Sequence, residues 1–118
     1  MRRLVTITLL AILAGGPALA QETEVPPEVD RVLWCASAFY WLAGSAEDSG
    51  DAIEAEMYDR WSQQLLDTAG TSLTARAVPP ERIETLITAY DERGLAEIGT
   101  QSAPHDIARC PELIGGLP

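Results

Sequence analysis

Several residue types that carry chemistry are scarce or missing in this sequence. It has no lysine, a single histidine at His105 and only two cysteines, Cys35 and Cys110. With the cysteines expected to bond to each other, carboxylates are the main metal ligands left, and the acidic turn at 47–51 does not match a calcium loop. The sequence also lacks a glycine-rich phosphate loop and a hydrolase-type serine motif. We therefore expect no metal, no cofactor and no catalytic residue.

The first twenty residues have the layout of a secretory signal peptide. Two arginines precede an apolar stretch over 4–14, and an A-x-A cleavage site ends at Ala20. The apolar stretch is shorter than the roughly 18 residues that a membrane span needs, which disfavours an anchor. We predict a signal peptide over 1–20, a flexible N-terminal arm over 21–26 and a single helical domain over 27–118, located in the periplasm or secreted.

The part of the chain after residue 20 is strongly acidic. It contains all 18 acidic residues and six of the eight arginines, which gives a formal charge of −12 with His105 neutral. This charge disfavours nucleic acid and anionic membranes and attracts basic surfaces. We expect a protein partner, with a basic one favoured, and no membrane insertion after the signal is cleaved.

The stretch from residue 27 to residue 46 is the centre of the predicted fold. Between Val32 and Gly44 the only polar side chain apart from the aromatic residues is Ser37, so a helix there must be covered on nearly every side. Pro27 suits a first helical turn, because its missing N–H would be unpaired there in any case. The periodicity places Tyr40 on the main inward face.

A second, amphipathic helix is predicted after the turn at 48–51. Its apolar stripe begins at Ile53. Gly70 is a candidate C-cap, but the apolar pattern stays in phase nearly to Val78. The helix is therefore expected to end either at Gly70 or close to Val78.

The third helix is predicted from Pro80 to about Arg93, with Asp91 on its outer, polar face and room for one more turn beyond it. A short fourth helix is expected from 102–104 onward and carries Ile107 and the second cysteine. No stretch of alternating apolar and polar residues is long enough to indicate a strand. The sequence thus predicts an all-α fold, a small bundle of three main helices plus a short C-terminal helix, tied by one disulfide.

The two cysteines are expected to form that disulfide. Cys35 and Cys110 lie 75 positions apart in an exported chain, and they do not form a C-x-x-C redox motif. A loop of this length corresponds to about 4.5 kcal/mol in the chain-entropy description of disulfide stabilisation. The bond would also remove the only thiol nucleophile.

Trp34, Ala38 and Trp41 form a stripe on the far side of the first helix. In one interpretation this stripe is core, because a small bundle can wrap its central helix from several sides. In the other, the two indoles are left partly uncovered and form a contact surface for a partner or for a second copy of the chain. We take the stripe as the candidate partner-binding surface.

The titratable side chains carry no catalytic pattern. His105 precedes Asp106, but nothing marks a nucleophile or an oxyanion hole, so we expect an ordinary exposed or capping histidine. Acidic pairs such as Asp91 with Glu92 lie on a polar helix face, where no apolar setting is visible that would raise a carboxyl pKa.

The sequence therefore favours a small exported, non-enzymatic binding or accessory protein of the bacterial envelope, such as an inhibitor, an immunity protein, a chaperone or a subunit of a complex. The layout of a signal peptide, helices and one disulfide resembles several kinds of small envelope protein, including periplasmic acid-stress chaperones and immunity proteins against secreted toxins, but no motif selects among them. The alternative is a small periplasmic hydrolase-like enzyme that uses carboxylates or His105.

Overall fold

The fold is an all-α bundle, seen in a computed structural model that describes residues 25–116. No strand occurs within this range. The fold class is confirmed, with three main helices and a short C-terminal helix tied by one disulfide. The helices are α1 (Pro27–Asp48), α2 (Ala52–Ala75), α3 (Pro80–Glu97) and α4 (Glu112–Gly116), with a 3₁₀ turn at Ile107–Arg109 between α3 and α4.

The predicted signal peptide, 1–20, lies outside the described residues, as do residues 21–24 of the predicted arm. At the described end of that arm, Val25 is half-buried and packs against the hydrophobic core. Between residues 25 and 116, no helix has both the length and the apolar character that crossing a membrane requires.

The central helix is α1. Residues 32–39 are all buried, because α2 packs along one side of α1 and α3 covers another. Two side chains predicted to face the core are exposed at its edge, so these two predictions are wrong. Tyr40 is 50% exposed, since it lies at a groove that neither neighbouring helix covers, and Ile53 is 87% exposed, since Ala55 is the residue of that turn that is buried.

The second helix does not end at Gly70 but continues to Ala75, the longer of the two predicted extents. Its end has the hydrogen bonds of a Schellman motif, in which the Val78 N–H donates to the Leu73 carbonyl and the Ala77 N–H donates to the Thr74 carbonyl. Ala77 takes the left-handed conformation, with φ of 67°, that glycine usually supplies at this position. The buried Val78 side chain supplies the apolar contact that accompanies the motif.

The third helix passes through Gly94 and ends at Glu97. Gly94 is buried where α3 approaches α1 at Ser37, whose Oγ donates a hydrogen bond of 3.0 Å to the Tyr90 carbonyl. A Cβ at position 94 would overlap the Ser37 Oγ and lie 3.2 Å from the Ser37 Cβ. The glycine therefore permits close packing of the two helices rather than ending one of them.

The disulfide between Cys35 and Cys110 is confirmed, with a Cα–Cα distance of 5.5 Å and both residues buried. It ties the centre of α1 to the segment after α3. The single helix predicted to carry Ile107 is instead a 3₁₀ turn followed by α4, because Pro111 has no N–H to continue a helix from the turn.

Candidate functional site

The stripe predicted as a contact surface belongs mostly to the core. Trp34 and Ala38 are both 0% exposed, so the prediction that they are available to a partner is wrong. The reason is that α3 and the segment following it cover this side of α1, and the Trp34 indole N–H donates a hydrogen bond of 3.0 Å to Glu97 Oε1. Of the three stripe residues, Trp41 alone reaches the surface, where it is half-buried.

Trp41 forms an aromatic pair with Tyr40 at this surface. The Trp41 indole N–H donates a hydrogen bond of 2.9 Å to the Asp91 carbonyl, which fixes the ring against α3. The Tyr40 and Trp41 rings are packed edge to face, with 5.0 Å between their centroids. Edge-to-face contact orients the more exposed ring, so Tyr40 is a positioned aromatic side chain rather than a freely rotating one.

The Tyr40 and Trp41 pair lies at one wall of an open groove between α1 and α2, with a volume of about 560 Å³. The groove exists because several of its lining positions are alanine or glycine, which fill little of the space between the two helices. We call it the α1–α2 groove. Its lining residues are Tyr40, Trp41, Ala43, Gly44 and Glu47 from α1, and Ala52, Ala55, Glu56 and Asp59 from α2.

The α1–α2 groove is acidic. Glu56 pairs with Arg60 at 3.1 Å on an exposed helix face. The carboxylates of Glu47 and Asp59 make no hydrogen bond or ion pair with any residue of the range 25–116. Between residues 32 and 75 the chain has seven acidic residues and one arginine, a formal charge of −6. The groove thus combines an exposed aromatic ring with carboxylates that lack a counter-charge.

A second polar site, which we call the Asp30 cluster, joins α1, α3 and the segment after α3. The Tyr90 hydroxyl donates a hydrogen bond to Asp30 Oδ1, and His105 Nε2 lies 3.0 Å from Asp30 Oδ2. The Arg93 guanidinium lies 3.7 Å from Asp30 Oδ1 and 4.8 Å above the centroid of the Tyr90 ring. Both carboxylate oxygens of Asp30 are therefore occupied.

The surroundings of the Asp30 cluster shift the pKa values of its members. Burial acts to raise the pKa of Asp30, but the hydrogen bonds from Tyr90 and His105, together with the charge of Arg93, outweigh it and hold the pKa below its ordinary value. Burial and the adjacent Asp30 carboxylate raise the pKa of Tyr90 far above that of a free tyrosine. The phenol is thus held as a neutral donor.

The position of His105 differs from the one predicted from the sequence. It is half-buried rather than exposed, its ring lies 5.7 Å from the Trp34 ring, and its carboxylate partner is Asp30, 75 positions away. The adjacent Asp106 instead caps the 3₁₀ turn by accepting a hydrogen bond from the Ala108 N–H. The one signal that could have located His105 was the disulfide, since pairing Cys110 with α1 also brings the preceding residues to α1.

One further expectation requires correction. Asp91, predicted to face solvent, is half-buried next to Ser37 and Trp41. Burial raises its pKa, and the nearby Ser37 hydroxyl opposes this shift only in part. An apolar setting that raises a carboxyl pKa is therefore present on α3 after all.

Within residues 25–116 no group of three or more histidine, cysteine or acidic side chains is arranged to hold a metal ion. No protein-family model, curated protein or solved structure matches the chain. The site must therefore be interpreted from its own geometry.

Proposed function

We propose that this chain is a small exported, non-enzymatic accessory protein of the bacterial envelope that binds a basic protein partner through the α1–α2 groove. The observation that carries the proposal is the positioned, half-exposed Tyr40 beside Trp41, at a groove whose Glu47 and Asp59 carboxylates have no counter-charge. Aromatic residues are frequent binding hot spots. A partner that covers these carboxylates removes them from water, which is costly unless the partner supplies positive charges. The partner surface is therefore expected to be basic.

The net charge of the chain after residue 20 supports the same partner. A formal charge of −12 after residue 20 repels a second copy of the chain and steers a basic protein towards it. Salt should therefore slow association more than it speeds dissociation. The roles of inhibitor, immunity protein, chaperone and complex subunit are all consistent with such binding.

An enzyme that uses His105 is the second candidate function, and the pairing of His105 with Asp30 favours it. The geometry of the cluster argues against it, because both Asp30 oxygens already have partners. The hydroxyl within the cluster, that of Tyr90, donates to Asp30 and has a strongly raised pKa, which makes it a poor nucleophile. A structural role, in which the Asp30 cluster holds α1, α3 and the segment after α3 together, accounts for these contacts without catalysis.

Site-specific photo-crosslinking in the native envelope tests the proposal. The photoreactive residue p-benzoylphenylalanine replaces Tyr40 in the full chain, and in a control chain it replaces Thr88, an exposed residue of α3 that does not line the groove. A partner should crosslink from position 40 and not from position 88. Its yield should fall when Glu47→Gln and Asp59→Asn are added.

The same experiment can refute the proposal. Equal crosslinking from both positions, or none from either, would remove the groove as the binding site. A product of twice the chain mass from position 40 would assign the groove to self-association instead.

A further inference from the structure

The chain contains an example of how it binds a guanidinium group. In the Asp30 cluster, Arg93 lies 4.8 Å over the Tyr90 ring, with its nitrogens 3.7 Å from Asp30 Oδ1 and 3.6 Å from Glu97 Oε1. The arginine is thus stacked on a tyrosine and flanked by two carboxylates. Both interactions favour a planar cation.

The α1–α2 groove is lined by the same kinds of group, a tyrosine ring and unpaired carboxylates, but by no arginine. Tyr40 supplies a ring that is 50% exposed, and Glu47 and Asp59 supply carboxylates that are unpaired within residues 25–116. The one arginine nearby in sequence, Arg60, does not supply the missing cation, because it pairs with Glu56 on the exposed face of α2.

We infer that the α1–α2 groove receives an arginine side chain of the partner, stacked on the Tyr40 ring and held by Glu47 and Asp59. This inference rests on the proposed function and specifies the chemistry of the bound group. Arginine fits better than lysine, because a guanidinium is planar, stacks on aromatic faces and binds carboxylates through two parallel hydrogen bonds. The small residues of the groove leave room for the side chain that carries it.

A short peptide provides the test. The probe is a blocked pentapeptide with one central arginine between glycines, compared with the same peptide carrying lysine or neutral citrulline. Binding is followed in ¹⁵N–¹H spectra of the mature chain through the indole N–H of Trp41, which lines the groove. The indole signals of Trp34 and Trp61, which do not line it, serve as references in the same spectrum.

The arginine peptide should shift the Trp41 signal saturably and bind about tenfold more tightly than the citrulline peptide, with lysine between them. Tyr40→Leu, which keeps an apolar side chain and removes the ring, should weaken binding about three- to fivefold. Glu47→Gln combined with Asp59→Asn should weaken it by at least a similar factor. The matched pair Glu84→Gln and Glu92→Gln, exposed on α3, should have little effect.

Two results would overturn the inference. Equal affinities for the arginine and citrulline peptides would exclude a cation site. If the α3 control pair lost as much affinity as the groove pair, the effect would come from the net charge of the protein and not from the groove. The two proposals also fail separately. If crosslinking from position 40 persists but the peptide does not bind, the partner uses the groove without an arginine. If the peptide binds but no partner crosslinks, the arginine site stands and the proposed function fails.

Discussion

Replacing Gly94 with alanine tests the closest approach between α1 and α3. In an exposed helix interior this change would stabilise the protein by about 1 kcal/mol, because alanine has the higher helix propensity. Here the new Cβ would overlap the Ser37 Oγ and lie 3.2 Å from its Cβ. Ser37 can avoid the overlap only by rotating, which breaks its buried hydrogen bond to the Tyr90 carbonyl.

The expected magnitude follows from these opposing effects. A buried hydroxyl left without its partner costs about 1 to 3 kcal/mol. Overpacking against the Ser37 Cβ, which rotation does not remove, costs about 1 to 3 kcal/mol. After the gain of about 1 kcal/mol in helix propensity is subtracted, we expect Gly94→Ala to destabilise the fold by about 1 to 5 kcal/mol.

Urea unfolding followed by circular dichroism measures this change. The matched control is Gly70→Ala, since Gly70 also lies within a helix but has nothing within 4 Å of the position that an added methyl group would occupy, and it should gain up to about 1 kcal/mol. Adding Ser37→Ala to Gly94→Ala should restore part of the loss, because the overlapping oxygen is gone. If Gly94→Ala is as stabilising as Gly70→Ala, the packing argument is refuted.

Three further predictions concern the segment after α3. Replacing Cys35 and Cys110 with serine should cost about 2 to 5 kcal/mol in urea unfolding, and thiol labelling of the denatured, non-reduced wild type should detect no free cysteine. Asp30→Asn should cost about 1 to 3 kcal/mol at neutral pH. Because the pKa of Asp30 is held below its ordinary value of 3.8, that deficit should be full above about pH 5 and should shrink as the pH falls through 3.8 and below it; a deficit independent of pH would contradict the assignment. His105→Ala should shift the NMR signals of Trp34 and lower the free energy of unfolding by about 1 kcal/mol, yet leave partner binding unchanged. Loss of binding would instead support an enzymatic role or a second binding site at His105.

The features that could be predicted from the sequence are those with a local cause. Pro27 and Pro80 begin helices because a proline fits a first turn, and both helices start there. The disulfide followed from the presence of two cysteines in a chain predicted to be exported. The buried centre of α1 followed from its nearly continuous apolar residues.

The features that could not be predicted depend on residues far apart in the chain. Gly94 resembles a helix end in sequence, and only its contact with Ser37 gives it a packing role. Ala77 ends α2 in a left-handed conformation that alanine rarely adopts. Because glycine adopts it easily, the sequence pointed to Gly70 as the end of the helix. The exposure of Tyr40 depends on how two helices are rotated about their axes, which an apolar pattern around a nearly all-apolar helix does not determine.

The attachment of the segment after α3 affects how the protein opens. Irregular segments ordinarily exchange their amide hydrogens through small local fluctuations. This one is attached to α1 at two positions about one and a half turns apart, through His105 at Asp30 and through Cys110 at Cys35. It cannot leave the surface unless the Asp30 cluster also separates, and even then the disulfide holds it near. We expect its backbone amides close to these two attachments to exchange together with those of the central helix, and the segment to resist proteases as part of one cooperative unit.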